Sequence, residues 1–141
     1  MAKEKGLAKI HEFDPLVYPR KVWIAVNPSM EDINEFFDNS NEHIKPLDEC
    51  SDADCWHTGT KNPNARGGVF VRFKSKKAMT NANIAHEASH LALMIFDYIG
   101  AWVDPNNQEP YAYLVGWITK CINKVKNGKG EVNVRTDNGE S

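Results

Sequence analysis

The chain has 141 residues, 41% hydrophobic and 26% charged, with a formal net charge of −2 and a pI near 6.2. Those values fit one soluble domain able to bury a core, and they give no electrostatic reason to expect a nucleic acid or an anionic membrane as partner. No segment reaches the roughly 18 consecutive apolar residues of a membrane span, the charged residues 1–6 precede no signal-peptide apolar run, and three cysteines suit a reducing compartment better than a disulfide framework, so a cytoplasmic protein is expected.

Residues 1–15 are polar and irregular and read as an N-terminal arm lying over the domain. Lys21-Val-Trp-Ile-Ala-Val26, a short β-rich apolar run closed by Asn27-Pro28, predicts an internal strand. Ser29 with Asp32 three residues on resembles a capping box. Behind it Met30, Ile33, Phe36 and Phe37 recur at helical spacing, predicting a helix of about two to three turns that ends near Asn39.

Residues 40–66 carry little periodicity. More than about 20 residues without regular structure is uncommon inside a compact domain, so a strand is expected at 55–60, joined through 62–68 into a hairpin with a clear strand at 69–74. In that second strand Val69, Val71 and Phe73 face one way and Phe70, Arg72 and Lys74 the other. Cys50, Cys55 and His57 have the spacing C-x4-C-x-H, which lacks a fourth partner for zinc. The two cysteines therefore read as structural thiols.

A long, mostly apolar helical pattern follows, with Thr80 or Asn81 as N-cap and Gly100 at its end. At about 100° per residue, Ile84, Ala88, Leu91, Ile95 and Ile99 form one stripe, His86, His90, Leu93 and Asp97 lie roughly opposite, and Ala85, Ala92 and Phe96 fill a flank. Such a helix is expected to be buried, with its histidines at the floor of a cleft where a metal would partner them. After a turn-rich connection, Tyr111, Leu114, Val115, Ile118, Ile122 and Val125 make a second helical stripe. Asn107 is its expected N-cap, Pro110 falls in its first turn and Gly128 ends it. Gly116, mid-helix, either permits close approach to the preceding helix or is merely tolerated. Residues 129–141 are expected to be a mobile tail. The sum is one α+β domain over residues 1–128, a small, mostly antiparallel sheet of about three strands packed on two helices.

The first of those helices contains His86-Glu87-Ala88-Ser89-His90, an HExxH pattern. Random order at this composition gives it roughly 0.01 times per chain, so the match is informative. Residues four apart share a helix face with Cβ atoms about 5–6 Å apart, so the two imidazoles can converge on one zinc ion at Zn–N distances of about 2.0–2.1 Å. Glu87, turned about 100° round the helix, is placed as a general base. A catalytic zinc usually has three protein ligands. Glu109, in the first turn of the second helix, is the expected third, brought back by an αα-hairpin through residues 100–107. Asp97 and Asp104 are its rivals. Asp97, about two turns along the histidine face, better suits a carboxylate that orients a ligating imidazole, and Asp104 precedes Pro105 in a turn.

HExxH followed after eighteen residues by a glutamate on the next helix resembles the gluzincin branch of the zincin metallopeptidases, over about residues 69–125. The resemblance implies a minimal zincin-like fold with zinc as cofactor, held by His86, His90 and Glu109. It implies that Glu87 polarises the attacking water and passes its proton to the leaving amine. The substrate would be a peptide or protein laid as an added strand along a sheet edge at 69–74. In size the chain also resembles small zincin-like proteins encoded by phages or prophages. It departs from the family in two places. Where the family's second helix often carries an acidic residue one turn after the ligand, this chain has Tyr113. The family's oxyanion-stabilising His or Tyr comes from a further C-terminal subdomain without counterpart here, leaving Tyr111, Tyr113 and His57 as candidates. Two competing expectations stand beside the peptidase. One is a non-catalytic zinc-binding interaction module, such as a phage accessory protein, whose site would be closed by a fourth ligand, Cys55 or His57. The other is an amide hydrolase with a non-peptide substrate.

Overall fold

The most apolar strands lie side by side at the centre of the sheet, where both faces are covered. The computed structural model describes residues 9–128; residues 1–8 of the expected arm and the expected tail at 129–141 lie outside the described residues. Strand β2 (Lys21–Val26) runs parallel to β4 (Gly68–Phe73), with Val22 opposite Val69 and Ile24 opposite Val71. Strand β1 (His11–Phe13) pairs antiparallel with β2, and β3 (Ala53–Thr58) pairs antiparallel with β4. The order across the sheet is β1-β2-β4-β3.

Two expectations change here. The sheet has four strands instead of about three, because β1 lies within the stretch expected to be an irregular arm. Polar His11 and Glu12 hide it from any test for apolar runs, yet Glu12 is well used. Its carboxylate accepts from Lys21 Nζ at 2.8 Å and from Trp23 Nε1 at 2.9 Å. The strand expected to form the sheet edge, at 69–74, is internal, since the hairpin partner β3 covers its outer side. The edges are β1 and β3.

Alternation along β4 divides the interior into two layers. Val69, Val71 and Phe73 point into the larger core with the two long helices, whereas Phe70 joins Trp23, Ala25, Ile33, Phe37 and Ile44 on the opposite face. Arg72 also lies on that opposite face, buried, with Nε and Nη2 on the two Asp54 carboxylate oxygens at 2.8 and 2.9 Å and Nη2 also on the Lys45 carbonyl. Helix α1 (Met30–Phe36) begins with a complete capping box, Ser29 Oγ accepting from Asp32 N–H and Asp32 Oδ2 from Ser29 N–H, each at 2.9 Å. It ends before Asn39 because Phe37 leaves the helix to bridge Thr60 and to fill the second core.

Helix α2 (Asn81–Ile99) starts at Thr80, whose Oγ1 accepts from Asn83 N–H at 3.1 Å, and stops at Gly100, which takes a left-handed φ of 76°. Helix α3 (Glu109–Lys126) is preceded by Gln108 instead of Asn107, because Asn107 is drawn into a bridge with Asp104. Ile84, Ala88, Leu91 and Ile95 of α2 meet Leu114, Ile118 and Ile122 of α3 in the core, where each such Leu or Ile contributes about 1.5–3 kcal/mol. At Gly116 an added Cβ would meet nothing within 4 Å, so this glycine serves no close approach. Among the described residues no helix is long and apolar enough to cross a membrane.

Candidate metal centre

Because α2 is held by its Ile84, Ala88, Leu91 and Ile95 stripe, the face that carries His86 and His90 is fixed by the core and turned outward. Their Nε2 atoms are 3.1 Å apart and the rings meet nearly edge-on, with centroids 4.6 Å apart. Both histidines are exposed, as are Leu93 and Asp97 on the same face, so the expected buried cleft floor is instead an open surface. The reason is alanine. Ala85, counted in the apolar flank, is small enough to tolerate water and is exposed, as is Ala82 before it.

Two imidazole nitrogens this close either share one proton or face a common cation. With Zn–N distances of about 2.0–2.1 Å, their separation subtends roughly 100° at an ion, near the tetrahedral angle. His86 and His90 thus fit two positions of a zinc ion.

Glu87 projects from the next position round the helix and is buried. The Cys55 thiol donates to its Oε1 at 3.0 Å. Burial, then the adjacent Glu87 carboxylate, pushes the Cys55 thiol far above its ordinary range, so it remains a protonated donor to Glu87. An open pocket of about 330 Å³ is lined by residues 53–55 of β3 and by His86, Glu87, His90 and Met94.

The helical hairpin brings the first turn of α3 beside the histidine-bearing turn of α2. Tyr111 donates its hydroxyl to the Ser89 carbonyl at 3.4 Å, and its ring meets Phe96 edge-on with centroids 5.8 Å apart. Glu109 sits two residues before Tyr111 and is exposed. Its carboxylate is not drawn together with the histidines, for among the described residues no three His, Cys, Asp or Glu side chains form a ready-made metal cage. Asp104 has a turn role, its Oδ1 accepting from Asn106 N–H at 2.9 Å. Of the oxyanion candidates, Tyr111 spends its hydroxyl on Ser89, and Tyr113 lines a separate apolar hollow with Tyr18 and Trp117. His57 stands on β3, two residues beyond Cys55.

The sequence alone does not mark β3 as the wall of this site. The bond from Lys74 N–H to the Asp52 carbonyl, 2.8 Å, fixes the parity of the hairpin. Asp54, Trp56 and Thr58 therefore turn their main chain toward β4, and Ala53, Cys55 and His57 turn theirs outward along the free edge. His43 Nε2 caps that edge by donating to the His57 carbonyl at 3.2 Å. A signal was present in the Cys55-x-His57 spacing, whose side chains share one strand face, but only the fold shows that this face meets α2.

No family model matches the chain, and comparison with curated proteins and with solved structures returned no match.

Proposed function

We propose that the protein is a zinc-dependent metallopeptidase of gluzincin type. The observation that carries this reading is the convergence of His86 Nε2 and His90 Nε2 at 3.1 Å beside the buried Glu87, next to an open strand edge. His86 and His90 would hold the metal, and Glu109, whose carboxylate stands apart from the histidines, would swing in as third ligand from the turn of α3 whose Tyr111 reaches Ser89. Bound zinc supplies Lewis acidity, which polarises a carbonyl and makes water a nucleophile near neutral pH.

Glu87 takes the proton from the attacking water and delivers it to the leaving amine. Burial keeps its carboxylate in place, and Cys55 hydrogen-bonds one oxygen while the other is left for the proton. The peptide pairs with the outward main-chain groups of Ala53 and Cys55, so β3 takes the role expected of 69–74.

The test combines metal content and turnover. The purified protein binds about one zinc per chain, and Glu87→Gln retains it while hydrolysis falls by about 10²–10⁴-fold. Zinc affinity is lost in His90→Ala and in Glu109→Ala. A wild-type protein that takes up no zinc defeats the reading, and an unchanged affinity in Glu109→Ala defeats its gluzincin part alone.

The place of Cys55 on the wall of the pocket that His86 and His90 also line favours a second reading, a non-catalytic module whose zinc would displace the thiol proton and be closed by the sulfur in place of water. Cobalt substitution separates the two. A thiolate-to-cobalt charge-transfer band that disappears in Cys55→Ser supports the module, and its absence supports the peptidase.

A further inference from the structure

Arg20, immediately before β2, is buried, although among the described residues no carboxylate pairs with it. Its Nη2 donates to the Gly68 carbonyl at 3.0 Å and reaches His57 Nδ1 at 3.3 Å, and its Nε is buried without a partner. The guanidinium lies 3.9 Å over the Tyr98 ring. Gly67 leaves room for it, since a Cβ there would come within 2.9 Å of Arg20 Nη1. A buried cation without a counter-charge is costly unless something offsets it.

The contact with Arg20 dictates the state of His57. A guanidinium has donors only, so His57 Nδ1 must accept, which leaves the proton of the neutral ring on Nε2. Burial, then the Arg20 charge, lowers the His57 pKa, with Asp97 opposing them. His57 is thus a fixed N–H donor, exposed at the end of the free edge, with a buried positive charge behind it. Because His43 occupies the His57 carbonyl, an added strand that pairs with Ala53 and Cys55 meets its end here.

We propose that Arg20 and His57 form a carboxylate-binding subsite at the end of β3, which anchors the terminal carboxylate or an acidic side chain of the peptide laid along that edge. The inference rests on the peptidase reading for the nature of its ligand. His57 lies two residues past Cys55, about 6.6 Å along the strand, so the anchored group belongs to a residue about two positions from the one opposite Cys55. The carboxylate accepts from His57 Nε2 and supplies the charge that Arg20 lacks.

Two measurements on the full chain test this. In the first, zinc-loaded protein is given pairs of fluorogenic peptides, one pair differing in a free or amidated C-terminus and the other in Asp or Asn two positions from the cleaved bond. A preference of about tenfold or more in KM for one acidic member is expected, and the pair that shows it identifies the source of the carboxylate. His57 is exposed, so His57→Ala folds, and in it the ratio falls to about one. Equal KM values in both pairs, or a preference that survives His57→Ala, overturn the subsite. In the second, ¹⁵N spectra of the Glu87→Gln protein report His57 as the Nε2–H tautomer, with a resonance that moves when the acidic peptide is added and stays when its amide is added. An Nδ1–H ring, or equal shifts with both peptides, overturns the subsite. Since this second measurement needs no turnover, a carboxylate-specific shift without any cleavage by wild type keeps the subsite and removes the peptidase. Cleavage without carboxylate preference does the reverse.

Discussion

The two faces of α2 have opposite fates, although they share one backbone and one N-cap. Ile84, Ala88, Leu91 and Ile95 are sealed against the sheet and α3, whereas His86, His90, Leu93 and Asp97 stand in water. Apolar burial sets the rotation of the helix to within a side chain, and the histidines are aimed by that rotation without contributing to it. A histidine pair on an exposed face can be changed without disturbing the core, and the core cannot be changed without disturbing the pair.

The largest effect should come from the sealed face. Leu91→Ala removes a fully buried side chain from the core that α2 shares with the sheet and α3 and is expected to cost about 2–5 kcal/mol in urea unfolding. Because the helix then loses its fixed rotation, zinc affinity should fall too, though no ligand has been touched. An unchanged affinity at full destabilisation would show that the two faces are independent and would break the argument.

A smaller effect is expected where the faces meet. Thr80 caps the whole helix through Asn83 N–H, one turn ahead of His86. Thr80→Ala should cost about 1 kcal/mol and raise hydrogen exchange in the first turn, with the histidine pair intact. A loss above about 2 kcal/mol would mean that Thr80 does more than cap.

How much of this was legible in the sequence follows the same division. Strands β2 and β4, the capping box at Ser29, the cap at Thr80 and the stop at Gly100 are local features, written in consecutive residues. Helix α3 and its apolar stripe are legible for the same reason. Strand β1 is not, because its three residues are mostly polar and gain order from pairing with β2. The place of β4 inside the sheet is settled by β3, and no pattern within 69–74 encodes a neighbour. The exposure of His86 and His90 was hidden by alanines, whose composition suits either side of a helix. The meeting of Cys55 with Glu87 is not legible either, because it spans 32 residues of sequence and depends on the hairpin register.

The smallest effect on the metal-free protein belongs to the open face, and it sharpens the comparison most. His90 is exposed, and its one ring contact among the described residues is with His86. Alanine is the better helix former by a few tenths of a kcal/mol, so His90→Ala in chelator should leave stability within about 0.5 kcal/mol of wild type, shifted toward greater stability. Zinc reverses the order. Wild type should gain about 2.7 kcal/mol when free zinc is a hundredfold above its dissociation constant, because binding to the folded state alone adds RT ln(1 + [L]/Kd). His90→Ala, with half of the pair gone, should gain far less at the same zinc concentration. Unfolding both proteins in urea, once with chelator and once with zinc, gives all four values. A large loss in chelator would show that the histidine face carries part of the fold, and an equal zinc gain in both proteins would show that the ion binds elsewhere.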